Sequence, residues 1–182
     1  MGTFNGWKTE NIDQIRPEEF YNLIDRNREH IRKTFPVTLS NCTDLQKTTE
    51  HIAASHEREN NKEGYYYYIR NADSNALIGY VVIKNINTAL AKCEFAYFID
   101  KDFEGRGIIS KAVADTLGFC FGDLQMNKVY ICTSKVNYAS QRIALKQGFI
   151  QEGILREEFR NGEGELEDIM YFGLLKSDYN ER

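Results

Sequence analysis

Two glycines flank a cation in Asp102-Phe103-Glu104-Gly105-Arg106-Gly107-Ile108-Ile109-Ser110, and this is the stretch of the chain best suited to hold an anion. Glycine lets backbone pass close to a bound group with no Cβ in the way, and the first amides of a helix offer unpaired donors at its positive dipole end. A charge at a helix end gains only about 0.3–1 kcal/mol. A tightly held pyrophosphate therefore needs several N–H groups between Glu104 and Ile109 at once. Other side chains can move protons: Glu158, in Glu158-Phe159-Arg160-Asn161-Gly162, Glu94, ahead of the glycine loop, and Ser140, in Asn137-Tyr138-Ala139-Ser140. Each has an ordinary structural use as well. A Gly-x-Gly can be a turn followed by helix capping, the glutamates solvated strand carboxylates, Ser140 an N-cap and Asn137 a turn residue.

The elements that must carry these groups are legible around them. Lys92 to Ile99 alternates, with Phe95, Tyr97 and Ile99 on one face and Glu94, Ala96 and Phe98 on the other, which predicts a strand ending at the loop. Beyond the loop Ile109, Val113, Thr116, Leu117, Cys120, Phe121 and Leu124 recur at helical spacing up to Gln125. Gly118 and Gly122 inside that helix cost about 1 kcal/mol each relative to Ala, which predicts close packing there. Lys128–Ser134 alternates again, and Asn137 leads into a short helix ending at Gly148-Phe149. The order is strand, anion loop, helix, strand, helix.

Upstream, the spacing predicts a helix from Pro17 to Lys33 with Phe20, Leu23, Ile24 and Ile31 inward. A second helix, capped by Thr43-x-x-Gln46 and turning Leu45, Ile52 and His56 to one side, runs to Asn60. Tyr65–Arg70 and Ala76–Lys84 flank an Asn-Ala-Asp-Ser-Asn turn and predict a hairpin. The four tyrosines fit a strand with two aromatic faces, or the lining of a substrate groove.

The run from the strand at Lys92 to Gly148-Phe149 resembles the acetyl-CoA-binding core of the GNAT superfamily of N-acetyltransferases, whose loop reads Gln/Arg-x-x-Gly-x-Gly/Ala and whose next helix is announced by Asn-x-x-Ser/Ala and closed by Gly-Phe. Phe103-Glu104-Gly105-Arg106-Gly107-Ile108-Ile109-Ser110-Lys111, the Asn161-Gly162 hairpin and Asp168-x-x-Tyr171-x-x-Leu174-Leu175 are most similar to the RimJ/RimL branch, which acetylates ribosomal-protein N-termini. The likeness covers residues 65 to 176 well and the first 60 loosely. It implies the α/β GNAT fold, a mixed and mostly antiparallel central sheet flanked by helices, in a single domain over 1–182. It departs from the pattern at Glu104 and Ile109, and at Ala144, where the superfamily often has its Tyr acid.

The resemblance also implies roles. Backbone amides of Glu104, Gly105, Arg106, Gly107, Ile108 and Ile109 take the pyrophosphate of acetyl-CoA, donors of Phe98 and Ile99 hold the thioester and pantetheine, and Asn137 bonds the pantetheine arm. Glu158 stands at the branch's base position across a one-residue deletion, Glu94 where other members carry a base, and Ser140 at the branch's candidate acid. Free energies narrow the acceptor: at pH 7 a lysine amine costs about 4.6 kcal/mol to deprotonate and an α-amine only about 1.1. The expected activity is acetylation of a primary amine, above all a protein N-terminal α-amine. Alternatives are acetylation of a polyamine, amino sugar or antibiotic, or a non-catalytic CoA-binding module.

Composition sets bounds. At 182 residues the chain is one domain by length, and its net charge of −4 gives no basic footprint for nucleic acid while favouring a cationic acceptor. No apolar run approaches 18 residues, and Met1 to Gly6 carries neither a signal-peptide pattern nor a convincing myristoylation start, so a cytoplasmic protein without membrane partners is expected. Cys42, Cys93, Cys120 and Cys132 form no Cys-x-x-Cys pair and His30, His51 and His56 are scattered, so free thiols and no metal are expected. A homodimer is expected from the branch and from the Tyr65–Tyr68 strand, were it left partly uncovered.

Overall fold

The period-2 runs of the sequence become a single eight-stranded sheet in the computed structural model, which describes residues 3–4 and 6–181. Met1 and Gly2, on which the reading of the N-terminal start rested, lie outside the described residues. In chain order the strands are β1 (Thr3–Phe4), β2 (Trp7–Asn11), β3 (Tyr65–Asn71), β4 (Leu77–Asn87), β5 (Lys92–Ile99), β6 (Lys128–Ser134), β7 (Ile150–Arg160) and β8 (Leu166–Leu175). They lie side by side as β1-β2-β3-β4-β5-β6-β8-β7. Every neighbouring pair is antiparallel except β5 with β6, which run parallel. A parallel pair needs a crossover, and here it is the helix that follows the glycine loop.

The helices are α1 (Pro17–Arg26), α2 (Arg28–Ile31), α3 (Pro36–Asn41), α4 (Leu45–Asn60), α5 (Ile108–Gly122), α6 (Tyr138–Lys146) and α7 (Lys176–Asn180). They cover both faces of the sheet. On one face Ile109, Val113, Leu117, Cys120 and Phe121 of α5 pack on Ile69, Val81, Ile83, Phe95, Val129 and Ile131. On the other, Phe20, Leu23 and Ile24 of α1 and Ile52 of α4 pack on Tyr66, Tyr68, Tyr80, Val82 and Phe98.

Several expectations change at the helices. The helix begun at Pro17 breaks at Asn27, whose buried side chain donates to Leu23 O (2.9 Å) and accepts from Lys101 N (3.1 Å), competing with the helical ladder and tying it to the segment after β5. The cap of α4 is Asp44, not Thr43: the Asp44 carboxylate accepts from Lys47 N at 2.8 Å, while Thr43 merely donates to Asp44. Of the side chains expected inward on α4, Ile52 is buried, Leu45 is exposed, and His56 turns outward to Asp13. Nor is α5 tightly approached at its glycines. A Cβ on Gly118 would meet only Tyr179 Oη at 3.6 Å, and one on Gly122 nothing within 4 Å.

The tyrosine strand is covered. β3 lies inside the sheet between β2 and β4, with Tyr66 and Tyr68 buried on the α1 and α4 side and Tyr65 and Tyr67 edge-on to Phe119 of α5. That removes the uncovered strand expected at Tyr65–Tyr68. Beyond β8 it is β7 that ends the sheet, with Ile150, Ile154 and Leu155 exposed.

Candidate active site

The glycine loop joins β5 to α5. Asp100 caps a short 3-10 turn over Lys101–Phe103, Gly105 and Gly107 stand at φ 71° and 75°, and Gly107 is the N-cap of α5. A side chain at either φ is strained, so glycine is required by conformation. The first i to i−4 bond of α5 is Lys111 N to Gly107 O. The amides of Ile108, Ile109 and Ser110 therefore lack helical partners and open toward a cavity of about 610 Å³ lined by Phe103 to Ser110. Glu104, acidic where the family has Gln or Arg, directs its carboxylate to His30 at 3.3 Å, and its N–H, expected on the pyrophosphate, closes the 3-10 turn by donating to Lys101 O. Arg106 folds back, with Nη2 donating to Asp102 O (2.7 Å) and its guanidinium over Phe103.

The cavity continues between β5 and β6. Their parallel register ends at Phe95 with Ile131, yet β5 runs on to Ile99 and β6 to Ser134 along β8, so the strands part and leave β5 backbone facing a gap. Asp100 N donates to Ile78 O, and the alternation of strand amides then turns Phe98 N–H toward β4 and that of Ile99 toward the gap. Of the two amides assigned to the thioester and pantetheine, only Ile99 is so directed. Phe98 instead packs its ring against Tyr80 and Phe35.

A second cavity, of about 470 Å³, lies on the α1 and α3 side, walled by Phe20, Phe35, Tyr66, Tyr80 and Phe159 among others. Tyr97, Ser134, Asn137, Ser140, Glu167 and the Lys33–Phe35 segment line both cavities. A group delivered from one side meets a group from the other there.

At that junction Ser140 Oγ lies 3.0 Å from Tyr97 Oη. Burial pushes the Tyr97 phenol up to about 12 although its bond to Ser140 pulls the other way, so it keeps its proton at neutral pH. Asn137 caps α6, its Oδ1 accepting Ser140 N at 3.1 Å, which leaves its Nδ2 able to donate to a ligand. Ala144 is fully buried in the core, on the wall of neither of these two cavities.

The carboxylates differ in their freedom. Glu94 is largely buried and committed: Oε1 meets Lys84 Nζ at 3.1 Å and Oε2 accepts from Asn85 Nδ2 at 2.7 Å. Glu158 is exposed on β7, inside a bulge where residues 156–158 face Asp168, and it lines the second cavity alone. Glu167 of β8 lines both.

The match to the family model described as acetyltransferase (GNAT) domain covers residues 11–150. The chain belongs to the GNAT family of acetyltransferases. This GNAT chain is 33% identical over 104 residues to the putative ribosomal N-acetyltransferase YdaF of Bacillus subtilis, a match spanning 57% of this chain and 56% of YdaF. It is 26% identical over 164 residues, 90% of each chain, to a spermidine N(1)-acetyltransferase of Vibrio cholerae. Its fold superposes with a TM-score of 0.85, at 18% identity and over 98% of this chain and 97% of the other, on the ribosomal-protein-S5-alanine acetyltransferase of Vibrio fischeri. It is an N-acetyltransferase, and acetyl-CoA is its acetyl donor.

Sequence reasoning brought most of the named residues to one cleft and missed three. Tyr97 stood on the strand face shared with Phe95 and Ile99, a signal that predicts its direction but not its partner Ser140, 43 residues away. Glu167 lies on β8, where only pairing register shows that it reaches the gap, and Asn161 bonds to it from the β7–β8 turn.

Proposed function

We propose that this enzyme acetylates the N-terminal α-amine of a protein. The observation that carries this reading is the charge of the acceptor cavity: Glu94, Glu158 and Glu167 are matched there by Lys33, Arg58 and Lys84. Burial holds the His51 imidazole below its usual value, so it adds no charge at neutral pH. A polyamine with several charges finds no net attraction in such a wall. A peptide start brings one ammonium to the junction and lays its uncharged part on the rings of Phe20, Tyr66, Tyr80 and Phe159.

In this reading the amides of Ile108, Ile109 and Ser110, with the loop from Gly105, hold the pyrophosphate, and Ile99 N–H and Asn137 Nδ2 hold the arm that carries the acetyl group. Ser140 gives a proton to the leaving thiolate and Tyr97 supports it through the 3.0 Å hydrogen bond. Glu94 is committed to Lys84 and Asn85, which leaves Glu158 or Glu167 for the proton of the amine.

Two further parts of the reading rest on separate observations. Free thiols, with the Sγ atoms of Cys93 and Cys120 3.8 Å apart, support a reducing cytoplasmic setting. The exposed edge of β7, with Ile150, Ile154 and Leu155, supports a homodimer paired through that strand. Light scattering checks it: twice the 21.1 kDa chain mass is expected, and a concentration-independent monomer defeats it.

The acceptor is tested by initial rates of acetyl-CoA turnover with N-terminal peptides, spermidine and spermine. Peptides are expected to show the higher kcat/KM, and blocking their α-amine to abolish turnover. Faster turnover of the polyamines overturns the assignment.

A further inference from the structure

We infer that Glu167 takes the proton from the acceptor amine and that buried Asn161 positions it, an inference that rests on the amine-acetylation reading above. Glu167 is the one carboxylate among the described residues that lines both the cofactor cavity and the acceptor cavity. Its place follows from register. Ser134, the last residue of β6, pairs with Ile169 of β8, so Glu167 on the same face two residues farther out stands just past the end of β6, where the gap beside β5 opens. Tyr97 and Ser140, the acid pair, line the same walls.

The carboxylate is held. Asn161 is 3% exposed, and its Oδ1 accepts the N–H groups of Glu163 (2.9 Å) and Glu165 (3.1 Å). With the oxygen so occupied, the amide can present only Nδ2 outward, and it donates to Glu167 Oε1 at 2.5 Å and to Glu165 Oε2 at 3.3 Å. A reversed amide would set its NH2 against two N–H donors. The hairpin that carries Asn161 is itself anchored beyond α2: a Cβ on Gly162 would lie 2.0 Å from Arg32 O, and Glu163 pairs with Arg32 (2.6 Å) and Lys33 (2.9 Å). Oε1 is thus fixed from behind, and Oε2 is left to face an ammonium. Lys33, Arg58, Lys84, Glu94, Tyr97 and Glu158 are among the ionisable groups of the acceptor wall, His30 and Arg142 of the cofactor wall, and Glu165 shares the Asn161 amide.

The chemistry balances on this residue. Glu167 takes one proton from the ammonium, freeing the nitrogen lone pair to bond to the thioester carbonyl carbon. The C–S bond breaks with its electron pair going to sulfur, which receives the Ser140 proton. The nitrogen sheds one further proton and keeps one as the amide N–H; the shed proton returns to Ser140 and the one held by Glu167 passes to water, so one proton is released per amide formed.

The test is the pH profile of kcat/KM with an N-terminal peptide for Glu167→Gln beside Glu158→Gln. Glu167→Gln is expected to lose roughly 10²-fold or more near neutrality, to recover part of that loss as pH rises and the amine sheds its own proton, and to bind acetyl-CoA as the native enzyme does. Glu167→Asp recovers part of the rate. Asn161→Ala, assayed where circular dichroism shows it folded, shifts the same acidic limb, which lost stability alone does not do. A native neutral-pH rate in Glu167→Gln, a loss equal at all pH, or a larger loss in Glu158→Gln overturns the assignment of Glu167. Absence of turnover by the native enzyme with every peptide and polyamine overturns instead the reading on which it rests.

Discussion

From Gly105 to Ser110 the cleft is walled by backbone set by two positive-φ glycines, whereas across the gap it is walled by side chains from α1, α3, α4, α6 and β3 to β8. A wall made of amides depends on φ and on where a helix begins, and it tolerates new side chains. Glu104 beside it and Ile109 within it stand where the family pattern has other residues, and the Glu104 carboxylate pairs with His30 on the cavity wall. A wall made of side chains changes its ligand with each substitution while the sheet behind it stays the same. That is how one fold comes to serve proteins named for ribosomal proteins and for spermidine alike.

The largest effect should come from the side-chain wall. Ser140→Ala is expected to lower kcat by about 10²-fold or more with unchanged acetyl-CoA affinity by calorimetry, and Tyr97→Phe by less, since it acts through Ser140. Asn137, not Ser140, caps α6, so Ser140→Ala costs the fold little beyond the Tyr97 hydrogen bond, about 1 kcal/mol, and a normal rate in folded Ser140→Ala returns that residue to a structural role. Next comes the backbone wall. Gly107→Val forces a β-branched residue to φ 75° where a Cβ meets nothing within 4 Å, so the fold should survive while the loop distorts. A distortion of about 1–2 kcal/mol corresponds to roughly 5- to 30-fold weaker acetyl-CoA binding.

A third outcome concerns the hinge between the two walls. Burial raises the Asp100 carboxyl, but its hydrogen bonds with Arg26 (2.5 Å) and Asp102 N outweigh this and hold it below the usual range. Its folded-state value lies below the unfolded one, so its stabilisation is complete above about pH 4 and is lost as pH falls through the depressed value. Melting temperatures measured across that window should drop, and Asp100→Asn should flatten the drop. The smallest effect sharpens the contrast most: Glu104→Ala should change acetyl-CoA affinity by less than about threefold, as expected for an exposed side chain whose contact is worth under 1 kcal/mol. A large loss would mean that the anion wall depends on side chains after all.

Local rules settled much of this molecule in advance. β5 and β6 run from Lys92 to Ile99 and from Lys128 to Ser134 as their alternation predicts, and Gly105 and Gly107 turn the chain into α5 where the spacing put them. Alternation and glycine conformation are properties of neighbouring residues, so the sequence alone displays them. Tertiary contacts decided the rest. Asn27 broke a helix that looks continuous because a backbone amide 74 residues away needed its oxygen. Tyr97 met Ser140, and Asn161 came to hold Glu167, through register and crossover. The buried tyrosines of β3 and the exposed edge of β7 exchanged the places their compositions suggest, because burial is fixed by which strands lie on either side, and strand order is not a local property of the chain.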